Sequence, residues 1–197
     1  MKALIRKDAY VLWKQMRIFI VLIVFMMMVN NSSFYSLFAV LWTAMLPFTA
    51  LAYDERSHWD QLADMMPYST LEIVLSKYVL GWLCIAGAVL LCLAAITARG
   101  VITHTAPDYS DMLMSPFIGM MAISVMLPMT FRFGVERGRM GLILAIIFVG
   151  VGFGISAGVI IPDGSIPLPA VILVPLGALV FTAISVPLSV KFYRSRS

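Results

Sequence analysis

The chain has 197 residues, of which 61% are hydrophobic and only 12% are charged, and its formal net charge is +4. A soluble domain carries about 25% charged residues, so this composition excludes an ordinary water-soluble globular protein. The mean hydropathy of +0.97 also indicates that lipid is the solvent for most of the surface.

Residues 1–17 predict an amphipathic helix. Apolar residues recur there with helical spacing, and basic residues occupy the other positions. The apolar set is Ile5, Ala9, Leu12, Trp13 and Met16. A basic helix with a tryptophan on its apolar side suits the inner membrane interface. Two interpretations stay open: an anchor that only fixes topology, or a helix that also touches a cytoplasmic partner.

Six apolar runs follow. A helix that crosses the hydrocarbon core needs about 20 apolar residues, and the runs are continuous rather than alternating, which excludes barrel strands. The first run, Ile18–Val29, is short; it spans only with flanking residues, or it forms a re-entrant hairpin with the next segment. The predicted spans are residues 18–33, 34–53, 72–98, 112–131, 140–161 and 169–190. The sequence therefore predicts an all-α polytopic membrane protein that is a single transmembrane domain, residues 1–197.

The basic residues predict an orientation. Lysine and arginine gather on the cytoplasmic side of membrane segments. With the amino terminus inside and six crossings, all of the 14 lysines and arginines fall inside except Arg99. Both termini are therefore expected in the cytoplasm. Because topology explains the positive charge, we do not expect a nucleic-acid partner.

The inner loop between the second and third predicted spans is the most informative segment. It holds half of the acidic residues of the chain, and these are Asp54, Glu55, Asp60, Asp64 and Glu72. An apolar stripe with spacing i, i+3, i+4 and i+7 predicts a short helix. The stripe consists of Trp59, Leu62, Ala63 and Met66.

Two sequence signals indicate where this short helix ends and where the next helix begins. Pro67 is expected to end it. Ser69 and Glu72 have the spacing of a capping box, which predicts the start of the next helix. The loop is thus a surface helix, a stop and a fixed entry into the third span. It either seals the membrane interface or docks a partner and passes that partner's movement into the third span.

The same residues carry a family resemblance. The chain contains Asp54-Glu55, Trp59-Asp60, Met66-Pro67-Tyr68-Ser69 and Ile73-Val74-Leu75-Ser76-Lys77-Tyr78. These resemble the signature of ABC-2 type transporter permeases, in the small bacterial branch that includes phenol-soluble-modulin and related peptide exporters. The amphipathic helix and the six predicted spans are also similar to that family.

The resemblance implies which residues contact an ATPase. In the family, the segment between the second and third spans, here residues 54–67, is a coupling helix that sits in a groove of a separate ATPase subunit. The residues implied for this contact are Asp54, Glu55, Trp59, Asp60, Leu62, Met66, Pro67 and Lys77. A second contact is implied at Arg132, Glu136 and Arg137 in the next inner loop.

The resemblance further implies a permease subunit in a bacterial cytoplasmic membrane, surrounded by lipid. It would pair with a second permease, identical or different, and would export an amphipathic, antimicrobial or cytolytic peptide by alternating access. ATP and Mg²⁺ would be cofactors of the partner ATPase and not of this chain. A lipid-like or drug cargo is the alternative. The segment 162–169 is too short for the re-entrant helices of polysaccharide-exporting relatives, which argues against a bulky glycan.

No catalytic or metal site is expected in this chain. A GxxxxGK[ST] phosphate loop is absent from the sequence, and His58 and His104 are predicted on opposite membrane faces. Cys84 and Cys92 fall within one span, where we expect packing residues. Because the phosphate loop is absent, the energy for any transport must come from another subunit. An alternative from a different class is a non-transporting immunity or scaffold protein, which would lack a neighbouring ATPase gene.

Small residues and prolines mark packing and bending in the spans. Gly150, Gly154 and Gly158 form a small-xxx-small stripe, which predicts close helix packing within one subunit or between subunits. Several spans also carry proline, which can kink a helix. These prolines are Pro47, Pro116, Pro128, Pro175 and Pro187.

Overall fold

The computed structural model describes residues 2–29, 33–65, 69–104, 109, 114–160 and 168–196. Within these ranges the structure consists of helices and short connections without strands, which confirms the predicted all-α class. The helices are α1 (Lys2–Val29), α2 (Ser33–Thr43), α3 (Leu46–Arg56), α4 (Trp59–Asp64), α5 (Thr70–Thr103), α6 (Ser115–Ile160) and α7 (Leu168–Arg196).

Three helices among the described residues are long and apolar enough to cross a membrane. They are Thr70–Thr103, Ser115–Val135 and Val174–Arg194, and they correspond to the third, fourth and sixth predicted spans. A shorter apolar helix, Gln15–Phe25, overlaps the end of the predicted interfacial helix and the first predicted span. The total of six spans stays a prediction.

The predicted interfacial helix and first span form one continuous helix, α1. Lys2–Val29 contains neither proline nor glycine, so nothing in the sequence ends the helix after Arg17. Leu12 is fully buried, but Trp13 is 55% exposed. The Trp13 ring instead lies 5.1 Å from the Arg17 guanidinium carbon. Leu12, Ile5 and Met16 of the predicted stripe thus pack into the core, whereas Trp13 lies at its exposed edge.

The second predicted span is divided into α2 and α3 by a turn at Ala44–Met45. Pro47 lies in the first turn of α3, where its missing N–H is tolerated. Helix α3 continues to Arg56, past the predicted end of the span at Tyr53. Asp54 and Glu55 therefore belong to the last turn of α3 and precede the short helix α4.

Helix α6 covers the fourth and fifth predicted spans and is interrupted at Gly134. This residue has φ 79° and ψ 173°, which is outside the helical region and is readily adopted only by glycine. Pro128 lies inside α6, and Pro175 and Pro187 lie inside α7. The break in α6 thus occurs at a glycine rather than at any of these prolines.

Helices α1 and α5 run in the same direction, and α2 and α3 return between them. Leu12 packs in one cluster with Leu46 and Leu80, and Ile23 packs further along with Cys92. Lys77 in α5 also binds Asp8 in α1 and Asp54 in the last turn of α3, so the starts of α1 and α5 meet the end of α3. At the same end of the bundle, α4 joins a cluster that consists of Leu4, Trp59, Ala63, Ile73 and Tyr193.

Two glycines allow close packing around α5 and α6. A Cβ added to Gly81 would lie 2.7 Å from Ile123 Cδ1, and one added to Gly119 would lie 2.7 Å from Val40 Cγ1. By contrast, a Cβ at Gly87 would meet nothing within 4 Å. The sequence alone did not identify Gly81 and Gly119. The side-chain surroundings of the predicted stripe Gly150, Gly154 and Gly158 lie outside the described part of α6.

Candidate functional site

A buried ion cluster lies where α1, α3 and α5 meet. Lys77 is 3% exposed, and its Nζ lies 2.7 Å from Asp8 Oδ2 and 2.5 Å from Asp54 Oδ2. Asp8 is 1% exposed. An unpaired charge in such surroundings would be strongly destabilising, so each of these groups depends on its partners. One lysine on α5 thus holds both α1 and α3.

Lys7 completes the cluster. Its Nζ lies 2.5 Å from Asp54 Oδ1 and 3.2 Å from Asp8 Oδ1. Two ammonium groups therefore face two carboxylates, and their formal charges cancel. Lys7 is the most exposed member, with 26% of its side chain accessible. We define these residues, Lys7, Asp8, Asp54 and Lys77, as the ion cluster.

Helix α4 contacts the ion cluster through its first residue. Lys7 Nζ lies 3.9 Å from the centroid of the Trp59 ring, which is a cation–π contact. Ala63, one turn later, is buried against Leu4 and Ile73. Leu62 and Met65 point the other way and are 48% and 82% exposed. One side of α4 is therefore fixed to the protein, and the other presents apolar side chains.

A two-residue turn joins α3 to α4. His58 adopts the left-handed conformation with φ 51°, which turns the chain directly into α4. The hydroxyl of Ser57 donates to the carbonyl oxygen of Asp54 at 3.2 Å. Because the connection is so short, the position of Trp59 is determined by the end of α3.

Glu55 links the same turn of α3 to α6. Its Oε2 accepts the backbone N–H of Val135 at 2.7 Å. Val135 directly follows Gly134, where the helical backbone of α6 is interrupted. The first N–H groups after such a break lack carbonyl partners in their own helix, and Glu55 supplies one of them with an acceptor.

The predicted capping box at the start of α5 is confirmed. Ser69 Oγ accepts the Glu72 N–H at 3.2 Å, and Glu72 Oε2 accepts the Ser69 N–H at 3.3 Å. These bonds satisfy two N–H groups at the helix start. They begin α5 at Thr70, so Lys77 of the ion cluster lies two turns further along the helix.

A hydroxyl network follows immediately after Lys77. Tyr78 is fully buried, and its hydroxyl lies 2.6 Å from Ser185 Oγ and 2.8 Å from Ser189 Oγ. Ser185 donates its proton to the carbonyl oxygen of Ser124 at 2.5 Å. Tyr78 must then donate to Ser185 and can accept from Ser189. The network joins α5 to both α6 and α7.

The structure brings together five of the residues predicted for a partner contact. These are Asp54, Glu55, Trp59, Leu62 and Lys77, although Asp54 and Lys77 are buried and present little surface. Arg132 is exposed, with its guanidinium carbon 5.0 Å from the Phe192 ring centroid. The following predicted residues or their side chains lie outside the described part: Asp60, Met66, Pro67, Glu136 and Arg137.

Sequence reasoning missed Asp8 and counted Lys7 only as a topological charge. A signal for Asp8 exists, since Leu4, Asp8 and Leu12 are four residues apart and share one face of α1. Leu4 and Leu12 are both buried. An acidic residue between two buried leucines indicates a paired charge, but the sequence does not say which residue pairs with it.

Comparison with known proteins gives one match. The family model described as "ABC-2 family transporter protein" covers residues 3–194. No curated protein and no solved structure matches the chain. The family match covers every helix of the ion cluster.

Proposed function

The chain belongs to the ABC-2 family of transporter proteins, and on that premise we propose that α4 docks the ATPase and that the ion cluster passes its movement to the membrane helices. The protein is an integral membrane protein and the membrane subunit of an ABC transporter. This class works with an ABC ATPase and a partner permease. The proposal concerns which residues of this chain make the connection.

The observation that carries the proposal is the series of contacts from Trp59 to Lys77. The Trp59 ring contacts Lys7, Lys7 binds Asp54, and Asp54 binds Lys77. A displacement of α4 would therefore act on the first helix and on the start of α5 together. Because the ion pairs are buried, separating them would leave unpaired charges in the protein interior. The connected helices are therefore expected to move as one body.

The outer side of α4 suits a protein partner. Leu62 and Met65 are exposed next to the charged end of α3. We propose that they enter the ATPase groove together with Asp60, Met66 and Pro67. Asp54 and Lys77 would act from inside, by holding α4 in position. Arg132, Glu136 and Arg137 would form a second contact.

We propose an exporter with cytoplasmic termini that works as a permease pair and moves an amphipathic peptide outwards. The 15 methionines support an apolar, adaptable cargo surface, since thioether side chains are flexible and polarisable. A lipid-like or drug cargo would bind to the same flexible, apolar side chains. The alternative of an immunity or scaffold protein predicts no ATPase partner.

Co-expression with the proteins encoded by the neighbouring genes, followed by co-purification of an ABC ATPase with this chain, tests the proposal. Replacement of Leu62 in α4 and of Met65, the residue directly after it, by alanine removes exposed apolar surface and should abolish ATPase binding. The matched control replaces Leu83 and Leu90, two exposed leucines of α5, and should leave binding unchanged. Equal ATPase recovery with both double variants would contradict α4 as the docking helix. No recovery with the unmodified chain would contradict the whole proposal.

A further inference from the structure

The last turn of α3 carries two adjacent carboxylates with different tasks. Asp54 binds Lys7 and Lys77 in the ion cluster, whereas Glu55 accepts the N–H of Val135 in α6. Glu55 and Val135 are 80 positions apart in the chain. Both carboxylates precede Trp59 by one short turn, so both attachments lie close to the helix that we propose for docking.

The contact of Glu55 with Val135 has the chemistry of a helix cap supplied from another helix. Gly134, with φ 79°, separates two helical segments of α6, and the second segment begins with N–H groups that have no carbonyl in the preceding turn. A carboxylate at such an end gains both a charge-assisted hydrogen bond and a favourable interaction with the helix dipole. Glu55 thus holds α6 at its break.

We propose that Glu55 is a positioning residue that couples the end of α3 to the segment of α6 after Gly134. This inference rests on the proposed function of α4 as the ATPase-docking helix. A displacement of α4 then reaches two places through neighbouring residues. Asp54 conveys it to α1 and α5, and Glu55 conveys it to α6, where the glycine allows the second segment to turn on the first.

The absence of helical geometry at Gly134 is what makes this coupling effective. A continuous helix would resist bending, because its backbone hydrogen bonds would have to break. At Gly134 the backbone is already non-helical, and glycine tolerates a wide range of φ and ψ. The direction of the second segment is therefore decided by contacts such as that with Glu55.

Spin labels test the coupling in the complex of the full chain with its ATPase. One label replaces Ile143 in the second segment of α6, and the other replaces Leu83 on α5; both residues are exposed. Cys84 and Cys92 are buried, so they stay in place and should remain unlabelled. The distance between the labels is measured by pulsed electron paramagnetic resonance without nucleotide and with ADP–vanadate.

The unmodified complex should show a nucleotide-dependent shift of this distance. Glu55→Ala should bind the ATPase normally but lose the shift, because the acceptor for Val135 is gone. Glu55→Gln retains an acceptor oxygen and should recover part of the shift. The control Arg56→Ala changes the next, exposed residue of α3 and should keep all of it. A full shift in Glu55→Ala would overturn the inference.

Hydrogen exchange of the unmodified complex tests the bond without any variant, in case Glu55→Ala does not fold. The Val135 amide should exchange slowly both with and without nucleotide, because the bond persists while the segment moves. Exchange at the rate of an unprotected amide in either state would overturn the inference. The two proposals fail differently: lack of ATPase binding by the unmodified chain contradicts α4 docking, whereas normal binding with an unaltered shift in Glu55→Ala contradicts only the role of Glu55.

Discussion

Lys77 Nζ lies 2.7 Å from Asp8 Oδ2, although the two residues are 69 positions apart in the chain. Both side chains are almost completely buried. This pair holds the start of α1 against the start of α5. Together with Asp54, it converts three separate helices into one unit at the end of the bundle where α4 is attached.

Lys77→Met should strongly destabilise the protein, because it leaves the carboxylates of Asp8 and Asp54 with only Lys7 for both. Removal of one partner from a buried ion pair costs about 3–5 kcal/mol in the free energy of unfolding. Denaturant titration in detergent micelles measures this change. Lys191→Met removes an exposed lysine from α7 and serves as the control, with little expected effect.

The double variant Lys77→Met with Asp8→Asn tests whether the charges depend on one another. It leaves Lys7 and Asp54 as a balanced pair, so the loss should be smaller than the sum of the two single losses. Directly interacting residues typically show coupling energies of about 0.5–3 kcal/mol. Strict additivity of the two single effects would argue against the pairing.

Ser69→Ala should weaken the start of α5 by removing the acceptor for the Glu72 N–H. Loss of a helix cap costs about 1 kcal/mol, and Ser69→Asp should retain most of the stability because aspartate also caps. Thr97→Ala is the control, since the Thr97 hydroxyl bonds only carbonyls within α5. Thermal unfolding measures stability, and exchange of the first α5 amides locates the effect.

Tyr78→Phe should destabilise the contact of α5 with α7, because Ser189 loses the Tyr78 hydroxyl as a partner. A lost neutral hydrogen bond of this kind costs about 1 kcal/mol. Tyr10→Phe provides the matched control, since Tyr10 is 84% exposed. If Tyr78→Phe and Tyr10→Phe had the same free energy of unfolding, the hydroxyl network would contribute nothing to stability.

Gly119→Leu should disrupt packing around α6, whereas Gly87→Leu should be tolerated. A Cβ at Gly119 would approach Val40 Cγ1 and Ile85 Cδ1, but a Cβ at Gly87 has open space. Overpacking of a filled interior costs about 1–3 kcal/mol. The fraction of monodisperse protein after detergent extraction and its melting temperature measure the difference. A larger loss for Gly87→Leu would contradict the predicted order.

The sequence determined the features that depend on neighbouring residues. Composition established a membrane protein, long apolar runs indicated helices, and the spacing of Ser69 and Glu72 indicated the start of α5. These predictions succeed because helical hydrogen bonds and caps join residues only three or four positions apart. The family resemblance, confirmed by the match over residues 3–194, supplied the class of transporter.

Only the tertiary structure decided which charges meet and where the helices are divided. The pairs Lys77–Asp8 and Glu55–Val135 join distant segments, and no local periodicity encodes such a distance. The direction of the helix segments on either side of Gly134 also depends on packing, since an apolar run limits the length of a helix but not its direction. A buried charge must find a partner, and the fold alone determines which residue that partner is.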